Sequence, residues 1–216
     1  MTQEIKRKLT RQILIDKGYE LFNTYSYHAI SIDNIIEAVG LTKGAFYYHF
    51  KNKHHFVAAI IQERISKEIH SNFIEPLNEK GNAIFILTDL FHDRLLKDKS
   101  LNQNLGCSLV NFINDLSHEP NEYNLQILLK DIYDEWKVAL MNFLYRGIEG
   151  FYLDRHIDTE SVAEFIISSV AGVRTIKKIT NDSGIFYNHM QQLKNFFDTL
   201  KIPKDQLQND KYYLAS

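Results

Sequence analysis

A chain of 216 residues, 44% hydrophobic and 24% charged, is long enough to bury a core without disulfide or metal staples. Its one cysteine, Cys107, excludes an intrachain disulfide and a cysteine-based zinc site. No apolar run nears the roughly eighteen residues of a membrane helix and no leader-like segment opens the chain, so a cytoplasmic protein without membrane contact is expected. The net charge of -2 argues against blanket coating by nucleic acid but divides unevenly, +3 over residues 1–55 and -5 beyond, which turns the first quarter toward an anionic partner.

Only Pro76, Pro120 and Pro203 interrupt the chain and no Asn-Gly or Asp-Gly hairpin signal occurs, so an all-α fold of about nine helices is expected. Ile5, Leu9, Ile13, Leu14, Leu21 and Phe22 mark a first helix over roughly 3 to 24. Ser31 is a good N-cap for a second helix carrying Ile32, Ile35, Ile36 and Val39, and Gly40 ends it. Thr42 caps a short third helix through His49. Asn52 starts a fourth that runs to about Glu75, where Pro76 forbids continuation. Further helices are expected near 82–98, 106–117, 121–150, 158–180 and 183–201, followed by a loose polar tail over 204–216.

The helix at 121–150 has an apolar face so wide that it belongs at the centre of a second domain. On the last helix Phe186, Met190, Leu193, Phe197 and Leu200 step by four, three, four and three, the seam of a helix meeting a helix. With Val162, Phe165, Ser169, Val173 and Ile176 on the preceding helix, this pattern suits a four-helix interface between two copies. It suits closure of the protomer's own core equally well.

An eight-residue helix, a turn at Gly40-Leu41-Thr42 and a second short helix have the spacing of a helix-turn-helix, whose second helix enters the major groove. The chemistry of "TKGAFYYHF" agrees. Lys43 can reach a guanine edge or a phosphate, Gly44 lets the helix end approach the duplex, and Ala45 can lie on a thymine methyl. Tyr47, Tyr48, His49 and Lys53 offer donors to phosphate oxygens, and Ser31 and Thr42 bring hydroxyls at helix N-termini. Phe46 and Phe50, four apart, share the opposite face and are expected to pack on the first and fourth helices.

From Arg11 to Phe56 the sequence, including Leu21-Phe22, Ser31-Ile32, Ile35, Ala38, Gly40 and "TKGAFYYHFKNK", resembles the TetR/AcrR family of transcriptional regulators. The resemblance implies a three-helix DNA-binding head over 1–52, then over 53–203 a connecting fourth helix with a ligand-binding and dimerising body. It places Thr42, Lys43, Ala45, Tyr47, Tyr48, His49 and Lys53 at DNA, and the last two helices at a homodimer interface. Ser26 stands where the family usually has glycine, and Ile30 where it usually has threonine. The implied function is a repressor on a palindromic operator, released by a small molecule.

Two triggers are open. Phe85, Phe91, Phe112, Tyr133, Trp136, Phe143 and Phe165 lie on helices expected to surround a cavity for an apolar or aromatic ligand. Alternatively, Cys107 opens a helix after Gly106, where the dipole favours a thiolate. "GCSLVN" and "GVRTIKK" resemble the subgroup containing the N-ethylmaleimide reductase repressor, some of whose members sense electrophiles or oxidants, and Lys178, with Lys177 as the alternative, is the cation expected to approach Cys107. A third alternative is a DNA-binding adaptor without an inducer. No serine elbow, phosphate loop, dinucleotide fingerprint or helical histidine pair occurs, so neither catalysis, metal nor cofactor is expected.

Overall fold

The computed structural model describes residues 2–97, 106–117, 122–180 and 182–203. The tail expected over 204–216, Pro120 and the helix ends expected at 98 and 121 lie outside these residues. The described residues form nine helices and no sheet: α1 (Gln3–Tyr25), α2 (Ile32–Val39), α3 (Lys43–His49), α4 (53–78), α5 (83–97), α6 (Ser108–Leu116), α7 (Tyr123–Glu149), α8 (Thr159–Thr180) and α9 (Ser183–Thr199). The fold is all-α, a helix-turn-helix head followed by a helical body.

Two compact units emerge. The first contains the described residues up to His70 and those from Gly106 to Asp134; the second contains the remainder. The head is therefore not packed as three isolated helices but shares a unit with α6 and the first part of α7.

Local signals set the head. Ser31 and Asn34 form a reciprocal capping box, Gly40 closes α2 at φ 65°, and Thr42 accepts the Ala45 N–H to start α3. Phe56 of α4 lies among Phe22 of α1, Phe46 of α3 and Phe50 at the C-cap of α3, with ring centroids 6.2, 5.1 and 4.8 Å away. Phe46 and Phe50 thus hold the third helix to the head. The first turns of α1 do not join that core: Ile5, Leu9 and Ile13 are about half exposed, and burial begins at Leu14.

Beyond the head, α4 and α5 contain wide turns at Ile61–Ile65, His70–Ile74 and Asp89–Arg94, whose i→i+5 bonding a 3.6-residue pattern does not reveal. The α-helical and wide-turn part of α4 ends at Ile74, within a residue of the stop expected at Glu75, and Pro76 sits in the first turn of a terminal 3₁₀ segment, Glu75–Asn78, where its missing N–H costs nothing.

In the first unit α6 runs along α1. Tyr19 donates to Glu68 of α4 at 2.5 Å and Ser108 donates to the same carboxylate oxygen at 3.0 Å. Burial first, and then the neighbouring Glu68 charge, hold the Tyr19 phenol well above its ordinary pKa, so it remains a proton donor. Asn111 donates to buried Asn23 at 3.0 Å, and Phe112 meets Phe22 edge-on at 6.1 Å. Asp115 then accepts the Tyr27 N–H at 2.6 Å. Just before that N–H, Ser26 has φ 87° and ψ 158°, a conformation open mainly to glycine and costing a side chain about 1–3 kcal/mol.

The core of the second unit gathers Phe73, Trp136, Phe91 and Phe197, with Phe73 and Trp136 rings 4.7 Å apart and Phe91 and Phe197 6.1 Å apart. The seam Phe186, Met190, Leu193, Phe197 and Leu200 is consumed here, each residue at most 5% exposed within a single chain. This corrects its assignment to a dimer interface: an amphipathic stripe reports burial, and the protomer itself supplies the cover. Val173 is likewise buried, whereas Phe165 and Ile176 remain about half exposed.

Gly18 fixes the spacing of α1 and α4, because a Cβ there would lie 2.4 Å from the Phe56 ring and 2.9 Å from Ile60. Gly18→Ala is expected to destabilise the protein by about 1–3 kcal/mol through overpacking, outweighing a helix-propensity gain of about 1 kcal/mol. Urea denaturation checks the sign; a more stable variant would contradict the packing.

Candidate nucleic-acid interface

The outer face of α3 has the exposure its chemistry requires. Thr42, Lys43 and Gly44 are exposed, and Tyr47 and Tyr48 are 52% and 68% exposed despite their size. A Cβ on Gly44 would find only the Thr42 hydroxyl, at 3.8 Å, so nothing within the protomer requires glycine there. Lys43 pairs with Asp33 across the turn at 2.9 Å. That hydrogen bond, then the Asp33 charge, raises the Lys43 ammonium above its ordinary pKa and keeps it cationic. Exposed pairs of this kind are weak and readily exchanged for a phosphate or guanine edge.

Ala45, Tyr48 and His49 turn toward the first turns of α1. With Thr2, Gln3, Glu4, Lys6, Arg7 and Thr10 they line an open cleft of about 830 Å³. Sequence reasoning did not place the α1 residues at this site. The sequence signal for them is "KRK" at Lys6-Arg7-Lys8, part of the positive charge of the first quarter. Partial burial first, and then Arg11 and Arg7, push the His49 imidazole below its ordinary value of 6.5, so the free protein carries it neutral near neutral pH.

Two predicted contacts have internal roles. Lys53 donates to the Tyr27 carbonyl at 2.5 Å, its ammonium 4.1 Å from the Tyr27 ring centre and 5.5 Å from that of Phe22. Burial lowers its pKa, and it braces the turn after α1 instead of standing free for phosphate. The Ser31 hydroxyl, although exposed, is engaged in the α2 capping box with Asn34.

The seven aromatic residues expected around an effector cavity separate. Phe112 and Tyr133 belong to the first unit and the other five to the second. Phe91, Phe112, Trp136 and Phe143 are buried, but Phe85 and Phe165 face outward at 71% and 48% exposure because they fall outside the buried stripes of α5 and α8. Tyr133 lines a groove of about 290 Å³ with Ile113, Ser117, Gln126, Leu129 and Lys130 of α6, its following turn and α7. Cys107 is the N-cap residue of α6, 1% exposed, and Lys178 lies half-buried on α8 in the second unit.

A capped helix-turn-helix with an open, polar-tipped second helix on an all-helical body defines a DNA-binding regulator. Residues 14–60 match the family described as "Bacterial regulatory proteins, tetR family". The chain is 24% identical over 180 residues to the HTH-type transcriptional repressor DhaR of Mycobacterium sp. (strain GP1), covering 80% of this chain and 84% of that one. Its fold is similar to that of a TetR-family regulator from Cytophaga hutchinsonii, with TM-score 0.79 at 21% identity over 92% of this chain and 98% of the other. It is also similar to E. coli NemR in its reduced form, with TM-score 0.71 at 21% identity over 86% and 96% of the two chains. The chain carries a tetR-type DNA-binding segment over residues 14–60 and is a DNA-binding transcriptional regulator, and the relatives it resembles are regulators rather than enzymes.

Gly44→Ala is expected to leave the fold intact while weakening operator binding by about 1–3 kcal/mol, the cost of an added methyl in a close contact. Denaturation and fluorescence anisotropy separate the two effects. A phosphate contact at His49 would raise the depressed pKa, so the expected outcome is that binding takes up a proton and affinity rises as pH falls from about 8 to about 6. That gain disappears as pH rises, and His49→Gln is expected to flatten the profile.

Proposed function

We propose that the protein is a cytoplasmic repressor that binds a palindromic operator as a homodimer and leaves it when a small apolar or aromatic molecule binds the body. In functional terms residues 1–52 carry DNA contact, and 53–203 carry effector binding and dimerisation. Thr42, Lys43, Ala45, Tyr47, Tyr48 and His49 make the groove and phosphate contacts, joined by Lys6, Arg7 and Thr10 of α1.

The observation that carries the dimer is the outer seam of α8. Phe165, Ser169, Gly172, Ile176 and Ile179 step by four, three, four and three along the helix, parallel to the buried face. Ile179 is 81% exposed, and a Cβ on Gly172 would meet nothing within 4 Å. Phe196 of α9 extends this surface, its ring 4.6 Å from Phe165. A second copy of the chain covers such a seam by matching it to itself about a two-fold axis, with Val162 at its edge.

The effector reading draws on the interior. The indole N–H of Trp136 is fully buried and has no acceptor among the described residues, so a molecule with an apolar body and one acceptor group suits the second unit. Sensing through Cys107 is the second reading, favoured by the thiol's place at the start of α6, the helix that grips α1. Its burial closes it to bulky reagents in this conformation.

Phe165→Glu with Ile176→Glu is expected to give a folded monomer in sedimentation velocity at concentrations where the unsubstituted protein is a dimer. Cooperative binding to the operator is expected to be lost with it. An intact dimer would remove the α8 seam from the interface. For the trigger, operator release by an electrophile or hypochlorite is compared in the unsubstituted protein and Cys107→Ser; equal release excludes the thiol.

A further inference from the structure

We propose that Asp115 and Glu122 are positioning residues for operator binding: together they clamp the strained turn after α1 and so set the orientation of α2 and α3. The two acids stand at the end of α6 and just before α7, and both converge on Tyr27. Asp115 accepts the Tyr27 N–H at 2.6 Å, and its main-chain carbonyl lies 2.9 Å from His28 Nε2. Glu122 accepts the Tyr27 hydroxyl at 2.7 Å and with its other oxygen pairs with His54 Nδ1 at the start of α4. Lys53 closes the opposite side, donating to the Tyr27 carbonyl. Tyr27 is therefore held at its N–H, carbonyl and hydroxyl, by acceptors from outside the head at two of the three.

Such a clamp has a purpose beyond packing because the preceding residue is strained. Ser26 at φ 87° stays in a glycine-like conformation only while its surroundings over-determine it. Five residues later Ser31 caps α2, and α3 follows across a three-residue turn. Relaxation at Ser26 therefore redirects both helices of the helix-turn-helix. The acids touch no DNA-facing residue, so their influence on the operator passes through the turn.

This rests on operator binding by the head, which is measured first: an unsubstituted protein that fails to retain operator DNA strikes the DNA-binding assignment, not the clamp. The experiment is a double-mutant cycle read by operator affinity. Glu122→Ala and Asp115→Ala are each expected to weaken binding about tenfold, the scale of losing one hydrogen bond to a charged group. Ser26→Gly alone is expected to change affinity less than about threefold, because glycine holds the turn without strain. In the Ser26→Gly background the two alanine substitutions are then expected to cost less than about threefold. A merely structural role predicts equal losses in both backgrounds, and that result, or no loss in either, overturns the proposal. Tyr27→Phe removes only the hydroxyl that Glu122 holds and replaces any alanine variant that does not fold. It is expected to show the same rescue, and the salt dependence of binding is expected to be unchanged because no phosphate contact is lost.

Discussion

Between α6 and α1 contacts recur at helical spacing. Ser108 reaches Tyr19 through the Glu68 carboxylate, Asn111 bonds Asn23, Phe112 meets Phe22, and Asp115 holds Tyr27. The position of α3 depends on this ladder. Its polar members are largely withdrawn from water, where a satisfied hydrogen bond is directional and an unsatisfied one is costly. An apolar interface would tolerate sliding by a fraction of a turn, whereas this one has a single register. Any event that moves α6 is therefore felt along α1, and α1 and α4 carry the aromatic cluster that holds α3.

The outer face of α3 and the ladder divide the work. Lys43, Tyr47 and Tyr48 stand outward on α3, with Gly44 leaving room for close approach. The neighbouring cleft adds the basic first turns of α1. Lys53, the cation nearest in sequence to this face, is committed inward to Tyr27 and Phe22. Charge alone does not assign a lysine to phosphate: an ammonium beside two rings and a main-chain carbonyl has already replaced part of its hydration.

The helix-turn-helix was legible in the sequence because its determinants are local: Ser31 and Thr42 as caps, Gly40 at the turn, Phe46 and Phe50 one helical turn apart. The grip of α6 on α1 was not legible. It joins residues 88 apart through one amide and one carboxylate, and no periodicity marks such a pair. The α9 stripe shows a different limit, since four-three spacing reveals which face is covered but not by what. It proved to be the protomer's own core, whereas the stripe on the preceding helix, named from the same pattern, divides between buried Val173 and the half-exposed Phe165 and Ile176. The strain at Ser26 was visible only as an unexpected residue after the first helix until the backbone gave it φ 87°.

The proposed dimer carries two identical heads, so the account requires a DNA site that repeats the two-fold symmetry of the protein. Selecting bound duplexes from a random pool tests that claim most directly. Enrichment of a palindrome whose half-sites are centred roughly 34 Å, one helical turn, apart is the expected result. Enrichment of a single asymmetric half-site, or no enrichment over the starting pool, would contradict it.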